Sequence, residues 1–196
     1  MKRVRTENAN TQELWDGVYA TEESARRWTQ WGAADLVAIA ARNIPLHCHV
    51  LDVATGAGIG PEQIAAVRKD IRWTGTDFSS AAIQYLRSNG SKIPWYDSVQ
   101  ADITVGLPFP DGAFEVVMCT ELLEHLEFPQ RAVKELVRVS RSRVIITTPR
   151  ENVVDAVYHI WSISEKDLRQ MLEPYGSVET CLARSNRQIV GVLCKS

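Results

Sequence analysis

A glycine-rich stretch at residues 50–60 is the first segment whose residue types could do chemistry. It reads Val-Leu-Asp-Val-Ala-Thr-Gly-Ala-Gly-Ile-Gly, an apolar run of strand type followed by three glycines. Glycine lets a backbone turn tightly and approach a ligand closely, although a plain strand-to-helix turn needs glycine for the same reason. The spacing is not G-x-G-x-x-G and no Gly-Lys-Ser/Thr follows. A dinucleotide fingerprint and a P-loop therefore both fit poorly.

Two carboxylates stand at the ends of the next two strand candidates. Asp77 lies 25 residues after Asp52, and a carboxylate there can accept both hydroxyls of a ribose. The alternative is that Asp77 only caps the helix beginning near Ser79, but the order of strand, glycine loop and acid favours ribose binding. Asp102 could hold an adenine amino group while Ile103 packs on the ring. These positions predict a nucleoside-binding site.

A third cluster combines Glu121, Glu124 and His125 at positions i, i+3 and i+4. On a helix these side chains would project from one face, and two carboxylates with an imidazole can bind Mg²⁺ or another divalent ion. His159 could supply a fourth ligand. The alternative, in which Glu124 and His125 merely cap and pack the turn, is favoured. We therefore expect a site that works without a metal, with the metal-binding hypothesis kept as the alternative.

The elements that position these residues follow from the apolar pattern, which alternates between strand-like and helix-like segments. This alternation predicts βαβ units, and hence a Rossmann-like, doubly wound α/β fold with a mostly parallel seven-stranded sheet and a C-terminal antiparallel hairpin. In such sheets ligands bind beyond the carboxyl ends of the strands. The predicted strands are residues 50–53, 71–76, 95–101, 114–119, 143–148, 177–184 and 188–194, and the predicted helices cover 33–42, 61–69 and 79–89, with two more around 133–137 and 164–172.

Residues 8–31 form a polar segment that nonetheless contains large aromatic side chains. These are Trp15, Tyr19, Trp28 and Trp31. Aromatic residues on a polar segment indicate an amphipathic cover that lies on another surface, and we expect it to act as a mobile lid. The whole chain is interpreted as one domain, residues 1–196, with an N-terminal helical cover at 1–45 and the core at 46–196.

The 196-residue chain has 45% hydrophobic and 23% charged residues, enough apolar side chain for a real core, which excludes disorder. Its formal net charge of -2 disfavours a broadly basic nucleic-acid binder. No stretch approaches the ~18 consecutive apolar residues of a transmembrane helix, and no apolar signal-peptide segment follows the basic N-terminus. The four cysteines are scattered, as in a reducing compartment. We expect a cytoplasmic protein without membrane insertion.

The run from Leu107 to His125 carries the most discriminating motif, Leu-Pro-Phe-Pro-Asp-Gly followed by Phe-Glu-Val-Val and Glu-x-x-Glu-His. Together with the Asp-x-x-x-Gly-x-Gly loop at 52–58 and the acid Asp77, it resembles the class I S-adenosylmethionine-dependent methyltransferases, in the small group that includes ubiquinone/menaquinone methyltransferases. The resemblance covers roughly residues 48–176. Ala54 stands where many members have glycine, but alanine also occurs there in the quinone group.

The resemblance implies S-adenosylmethionine as the cofactor and suggests a role for each motif. The backbone at Gly56 and Gly58 would face the methionine part while Asp52 orders the loop, and Asp77 would bind the ribose with Phe78 beside the adenine. Three residues at the end of the strand predicted at 114–119 would lie under the sulfonium: Cys119, Thr120 and Glu121. The full set expected to bind the cofactor is Asp52, Ala54, Gly56, Gly58, Asp77, Phe78, Asp102, Ile103, Cys119, Thr120 and Glu121.

Methyl transfer to an oxygen or nitrogen also needs a base that takes the acceptor's proton. A histidine suits that role at neutral pH because its unperturbed pKa is ~6.5. His125 is the first candidate because its loop is nearest the expected methyl position, and Glu121 and His159 are the other catalytic candidates.

The predicted activity is methyl transfer from S-adenosylmethionine to an O, N or C atom of a small-molecule acceptor. The aromatic residues of the cover favour a small, flat or apolar metabolite. Two alternatives stay open. One is a metal-dependent RNA 2′-O-methyltransferase, since some relatives with the same Glu-x-x-Glu-His act on small RNA, although the acidic balance disfavours a nucleic-acid partner. The other is a non-catalytic cofactor-binding scaffold.

Overall fold

Seven strands of the described chain form one mixed sheet with helices on both faces. The computed structural model describes residues 1–21, 23–24, 34–88, 93, 96–150, 158–183 and 187–196. Its strands are β1 (Lys2–Arg3), β2 (His49–Val53), β3 (Arg72–Asp77), β4 (Tyr96–Gln100), β5 (Phe114–Thr120), β6 (Ser140–Pro149), β7 (Trp161–Ser162), β8 (Gly176–Ala183) and β9 (Gln188–Lys195). Its α-helices are α1 (Gln12–Tyr19), α2 (Ala34–Asn43), α3 (Ile59–Val67), α4 (Ser80–Ser88), α5 (Pro129–Val139) and α6 (Glu165–Leu172), and 3-10 turns lie at Leu123–His125 and Glu173–Tyr175.

The strand order in the large sheet is β4-β3-β2-β5-β6-β9-β8. The pairs from β4 to β6 are parallel, whereas β9 pairs antiparallel with both β6 and β8. The chain runs outwards from β2 to β4 and returns to β5 beside β2, so the strand order reverses between β2 and β5. A crevice forms at such a switch point, beyond the carboxyl ends of the strands. The predicted seven-stranded, doubly wound sheet with a C-terminal antiparallel hairpin is confirmed.

The core lies in two layers because successive side chains of a strand point to opposite faces of the sheet. On β5, Val117 and Cys119 belong to a cluster that includes buried residues of α5 and α6. Val116 and Met118 belong to a second cluster, with buried residues of α2 and α3. Strands buried on both faces are continuously apolar, which is why the sequence shows short apolar runs and not alternation.

Serine side chains cap the start of two helices, α4 and α6. Ser79 Oγ accepts a hydrogen bond from the N–H of Ala82 at 3.1 Å, at the start of α4. Ser164 accepts from the N–H of Asp167, whose carboxylate accepts from the Ser164 N–H in return, which makes a capping box on α6. Each cap satisfies backbone donors that have no partner inside the helix.

A small two-stranded sheet was not predicted from the sequence. Lys2 pairs with Ser162 and Arg3 with Trp161, so β1 lies antiparallel to β7. Strands of two residues have no periodicity to detect, and the segment at 149–163 offered no regular pattern. Residues 151–157 of that segment lie outside the described residues. So do residues 184–186, which join the two strands of the predicted hairpin.

The N-terminal cover is represented by α1, which packs on the start of α4. Asp16 Oδ1 accepts hydrogen bonds from Ser79 Oγ at 2.6 Å and from the N–H of Ala81 at 3.1 Å. Trp28 and Trp31 lie outside the described residues, and α1 carries the other two aromatic residues of the predicted lid, Trp15 and Tyr19. None of the helices in the described part of the chain is long and apolar enough to cross a membrane.

The close packing of β9 against α6 generates a stability prediction. A Cβ atom added to Gly191 would lie 2.9 Å from Leu168 Cδ2 and 3.1 Å from Leu172 Cδ1, and both leucines are fully buried. We expect Gly191→Ala to destabilise the fold by about 1–3 kcal/mol, the usual cost of overpacking a core. Urea unfolding measures the change.

The matched control is the same substitution at Gly17 in α1, where nothing lies within 4 Å of the added Cβ. Gly17→Ala should be neutral or slightly stabilising because alanine is the better helix former. A Gly191→Ala variant as stable as the wild type would show that this helix does not press on the strand.

Candidate active site

A cavity of about 980 Å³ lies beyond the carboxyl ends of β2, β3, β5 and β6. That volume is at the upper end of the range for small-molecule sites, about 300–1,000 Å³. The predicted site residues that line it are Ala54, Gly56, Asp77, Phe78, Asp102, Ile103, Thr120, Glu121, His125 and His159. Three predicted residues are buried and do not belong to the cavity lining: Asp52, Gly58 and Cys119. The structure thus brings most of the predicted set to one cavity.

The loop between β2 and α3 has a left-handed backbone at three positions. The φ angles of Ala54, Gly56 and Gly58 are 57°, 52° and 73°. Glycine adopts this region freely, whereas for alanine it costs roughly 1–2 kcal/mol. The Thr55 N–H donates to the carbonyl of Thr76 at 2.9 Å and so ties the loop to β3. The loop therefore presents its backbone to the cavity, where a ligand can approach it closely.

Asp52 lies beneath this loop and is only 2% exposed. Its Oδ2 accepts a hydrogen bond from Thr55 Oγ1 at 2.6 Å, which is how this aspartate holds the loop. No donor in the described part of the chain reaches its Oδ1. Burial raises the pKa of Asp52 to about 7, because the charged form loses its hydration.

Asp77 joins two loops at the end of β3. Its Oδ2 accepts from the N–H of Gly56 and its Oδ1 from the N–H of Ser79, both at 2.9 Å. Burial raises the pKa of Asp77 to about 6, although both backbone bonds favour the charged form. A carboxylate oxygen has two lone pairs, so Asp77 keeps acceptor capacity for a ligand hydroxyl on the cavity side. Both interpretations from the sequence, helix capping and ribose binding, are compatible with this geometry.

Asp102 is the acidic residue after β4, and its contacts are local. Its Oδ1 accepts from the N–H of Thr104 at 2.8 Å and from Thr104 Oγ1 at 2.7 Å. This turn presents the buried side chain of Ile103 to the cavity. Both of these bonds use Oδ1 and neither of them uses Oδ2.

Glu121, Glu124 and His125 do not share the face of an α-helix. The only helical turn is the 3-10 turn at Leu123–His125, and Glu121 precedes it with a φ of 53°. Thr147 Oγ1 donates to Glu121 Oε1 at 3.0 Å, so this side chain leans towards β6. The shared face that the three residues would have on a helix is therefore not formed, because β5 is followed by a turn and not by an α-helix.

Glu124 is a buried carboxyl at the cavity wall, only 1% exposed. Thr148 Oγ1 donates to its Oε2 at 3.2 Å, whereas its Oε1 has no hydrogen-bond donor among the residues described. Burial, reinforced by the charge of Glu121, raises the pKa of Glu124 well above its usual value.

His125 is a neutral imidazole with a defined tautomer. Its Nδ1 lies 3.1 Å from the carbonyl of Tyr158, which can only accept, so Nδ1 carries the proton. Its Nε2 then has a free lone pair and lies 3.7 Å from Glu124 Oε1. Burial, followed by the nearby His159, lowers the pKa of His125 to about 4. The two histidine rings are 4.9 Å apart.

Ligand atoms of Glu124, His125 and His159 all lie within 4.8 Å of one another. One carboxylate and two imidazoles suit Zn²⁺, Mn²⁺ or Fe²⁺ better than Mg²⁺, which prefers oxygen ligands. Glu121 does not belong to this group, although the sequence placed it in the candidate metal set. The geometry therefore permits a metal at three of the four residues that the sequence suggested, without Glu121.

Three residues of the cover line the cavity, although the sequence analysis did not include them among the site residues. Tyr19 enters the cavity, and its hydroxyl would lie 2.5 Å from a Cβ atom on Gly56. Burial and the charge of Asp77 raise the pKa of Tyr19. Trp15 lies 5.5 Å from the ring of His125 and 5.9 Å from that of Tyr158. Asn10 also lines the cavity. The aromatic residues signalled a cover, but not which of them would enter the site.

The sheet order, the glycine loop at the switch point and the acids after successive strands define a class I methyltransferase fold. Comparison with known proteins leads to the same class. Residues 51–147 match the family model of the methyltransferase domain. Two solved structures share the fold: a SAM-dependent methyltransferase from Aquifex aeolicus (TM-score 0.70, 14% identity, 95% of this chain and 99% of that one) and the Haloferax volcanii protein solved as a putative methyltransferase with the activator Trm112 (TM-score 0.75, 15% identity, 92% and 97%).

Curated relatives extend the family assignment. Ajmaline N-methyltransferase from Rauvolfia serpentina is 28% identical over 128 residues, 64% of this chain and 42% of that protein. Demethylmenaquinone methyltransferase from Renibacterium salmoninarum is 32% identical over 116 residues, 59% and 44%. A probable S-adenosylmethionine-dependent methyltransferase from Mycobacterium tuberculosis is 27% identical over 143 residues, 68% and 50%. The chain belongs to the S-adenosylmethionine-dependent methyltransferases, and it spans about half the length of these curated relatives.

The buried Asp52 predicts a stability that depends on pH. Its pKa is about 7 in the folded protein, against about 3.9 in an unfolded chain. Its contribution to folding is therefore fully present below about pH 4 and is lost as the pH rises through about 7. Between pH 5 and pH 8 the wild type should lose on the order of 2 kcal/mol of unfolding free energy that Asp52→Asn retains. The asparagine carbonyl can still accept from Thr55.

Denaturant titrations at the two pH values measure this difference. Asp97→Asn is the control, since Asp97 is exposed on β4 and is not buried behind the cavity. An Asp52→Asn protein whose stability falls with pH as steeply as that of the wild type would contradict the assignment of the buried charge.

Proposed function

We propose that this protein transfers a methyl group from S-adenosylmethionine to a nucleophilic atom of a small molecule held in the cavity. The observation that carries the proposal is a glycine-rich loop beside two buried carboxyls, Asp52 and Asp77, whose hydrogen-bond donors among the described residues are hydroxyl and backbone groups and not cations. A Cβ on Gly56 would collide with the Tyr19 hydroxyl 2.5 Å away, so the loop and the cover meet closely at this glycine. Burial raises the pKa of both Asp52 and Asp77. A ligand with a positive sulfonium and a ribose suits that combination of backbone, shape and charge.

The proposed cofactor site uses residues on both sides of the switch point. Gly56 and Ala54 would face the methionine part, Asp77 would bind the ribose, and Phe78 with Ile103 would enclose the adenine. Thr120 and Glu121 would lie near the sulfonium, since they end β5 at the cavity. Asp52, Gly58 and Cys119 would support this wall from behind. Phe78 and Ile103 lie after β3 and β4, on the side of the sheet away from the acceptor end.

The acceptor end is formed by the cover, the turn after β5 and the segment before β7. Its side chains include Trp15, His125, Tyr158 and His159. Bound S-adenosylmethionine supplies a methyl group that is already activated, so these residues have to align the acceptor and exclude water. His125, Glu121 and His159 remain the candidates for the group that accepts a proton. His125 offers the free lone pair of Nε2, but its pKa of about 4 makes it a weak base.

The names of the relatives do not agree on one class of methyl acceptor. One relative is named as an N-methyltransferase and another as a ubiquinone biosynthesis O-methyltransferase. We propose a small molecule because the cavity is walled by apolar and aromatic side chains, as small-molecule sites are. The metal-dependent RNA alternative has the Glu124, His125 and His159 group in its favour. A cytoplasmic location remains a prediction.

The proposal predicts that the protein binds S-adenosylmethionine and S-adenosylhomocysteine and does not bind NAD. Asp77→Ala should weaken cofactor binding by about 1.5–3 kcal/mol, because a charged hydrogen-bond acceptor is lost. Isothermal titration calorimetry measures this. Asp97→Ala on the neighbouring strand β4 removes the same type of group outside the cavity and should bind as the wild type does.

No heat with either sulfur cofactor would remove the methyltransferase proposal. An unchanged dissociation constant in Asp77→Ala would mean that this residue only caps α4. Binding without methyl transfer to any acceptor class would favour the scaffold alternative.

A further inference from the structure

Helix α1 contacts both of the residues whose backbone holds Asp77. The two backbone donors to the Asp77 carboxylate are the N–H groups of Gly56 and Ser79, each at 2.9 Å. On one side, the hydroxyl end of Tyr19 packs so closely on Gly56 that a Cβ atom there would lie 2.5 Å from the hydroxyl oxygen. On the other side, Asp16 Oδ1 accepts a hydrogen bond from Ser79 Oγ at 2.6 Å. The cover therefore docks on the two residues that orient the proposed ribose-binding carboxylate.

Asp16 and Tyr19 have different positions relative to the cavity. They are three residues apart on α1, so both side chains lie on one face of the helix. Tyr19 lines the cavity, whereas Asp16 stands outside the lining that the described residues form. A substitution of Asp16 therefore acts on a ligand in the cavity through the hydrogen-bond partners of Asp16 and not by direct contact.

The Asp16 carboxylate caps α4 from outside that helix. Besides the bond from Ser79, it accepts from the N–H of Ala81 at 3.1 Å and from Ser80 Oγ at 3.2 Å. The first N–H groups of a helix have no partner inside the helix, and they favour a negative charge. Burial opposes the charged form, but hydrogen bonds from Ser79 and from the N–H of Ala81 lower the pKa of Asp16. Asp16 thus joins α1 to the start of α4 as a carboxylate.

From these contacts we propose that Asp16 is a positioning residue that couples the docking of the cover to the binding of the cofactor. With α1 docked, Asp16 holds Ser79, and the Ser79 N–H holds the Asp77 carboxylate in the orientation that accepts the ribose hydroxyls. Coupling between two sites is reciprocal, so a cofactor bound at Asp77 tightens the docking of α1. The inference rests on the proposed function and adds to it a residue outside the cavity.

The same helix also reaches the acceptor end of the cavity, through Trp15. The ring of Trp15 lies 5.5 Å from that of His125 and 5.9 Å from that of Tyr158. Trp15 is the neighbour of Asp16 in sequence, so the docking that Asp16 maintains also keeps this ring against the acceptor wall. A cofactor that tightens α1 therefore also fixes one wall of the acceptor end.

The first test is calorimetry of S-adenosylhomocysteine with Asp16→Ala. Loss of the charged acceptor that holds Ser79 should weaken binding by about tenfold. Alanine is a better helix former than aspartate, so lower helix propensity of α1 cannot explain such a loss. In Asp16→Asn the amide oxygen can still accept from Ser79 Oγ, and most of the affinity should return.

The matched control is Glu13→Ala, which removes an acid from the same helix. Glu13 is exposed and lies outside the cavity lining of the described residues. Glu13→Ala should bind S-adenosylhomocysteine as the wild type does. A thermal melt checks that all variants fold.

A double-mutant cycle with Asp77→Ala separates positioning from a purely structural role. If Asp16 acts through Asp77, adding Asp16→Ala to Asp77→Ala should change the affinity by less than about twofold, because coupled residues are not additive. Hydrogen exchange supplies a second readout. S-adenosylhomocysteine should slow exchange of the α1 amides in the wild type, and Asp16→Ala should remove most of that slowing.

Four results would overturn the inference: an unchanged affinity in Asp16→Ala; an equal loss of affinity with and without Asp77→Ala; an Asp16→Asn variant that binds no better than Asp16→Ala; or exchange in α1 that S-adenosylhomocysteine does not slow in the wild type. The second would give Asp16 a role independent of Asp77. If the wild type does not bind S-adenosylhomocysteine at all, the proposed function fails first and the inference falls with it. Binding that is insensitive to Asp16 removes the inference alone.

Discussion

Burial of carboxyl groups that have no lysine or arginine partner in the described part of the chain is the constraint on which the rest of this structure depends. Asp52, Asp77 and Glu124 are each at most 5% exposed, and burial raises the pKa of all three. Such groups persist only where hydrogen bonds or a ligand compensate for the lost hydration. The structure supplies part of that compensation from the glycine loop, from Ser79 and from Thr148. The oxygens left without a donor among the described residues include Asp52 Oδ1, behind the cavity wall, and Glu124 Oε1, in a residue of that wall.

The fold explains how these acids come together and why water is kept from them. Parallel strands place their carboxyl ends at one edge, so residues far apart in sequence become neighbours across β2, β3 and β5. The cover then closes this edge, because Asp16 anchors α1 to the start of α4 while Tyr19 enters the cavity. Excluding water strengthens each charge interaction inside the site. The proposed alignment of the acceptor and the proposed stabilisation of charge would therefore share one structural basis, the cover over the switch point.

Much of this arrangement is predictable from the sequence, and the exceptions have physical reasons. The alternation of apolar segments predicts the sheet, and Ser79 and Ser164 mark helix starts, because both signals are local. The burial of Glu124, by contrast, depends on contact with Thr148 of β6, which lies 24 residues further along the chain. Its carboxyl is buried because the chain after β5 forms a 3-10 turn packed on β6. The sequence suggested that Glu124 packs a turn, but the spacing alone does not show how deeply its carboxyl is buried. The pairing of β1 with β7 joins strands of two residues, which leave no pattern.

The central claim is that buried acids at this edge hold a cationic cofactor, and one measurement tests it most directly. S-adenosylmethionine and S-adenosylhomocysteine differ by a methyl group and one positive charge on sulfur. Calorimetry of both ligands at pH 5 and at pH 8 gives the ratio of their affinities. Asp52 and Asp77 ionise in that interval, with pKa values of about 7 and about 6. The ratio in favour of S-adenosylmethionine should therefore rise by about tenfold, the equivalent of one pKa unit. A ratio that stays constant or falls with rising pH would contradict the account.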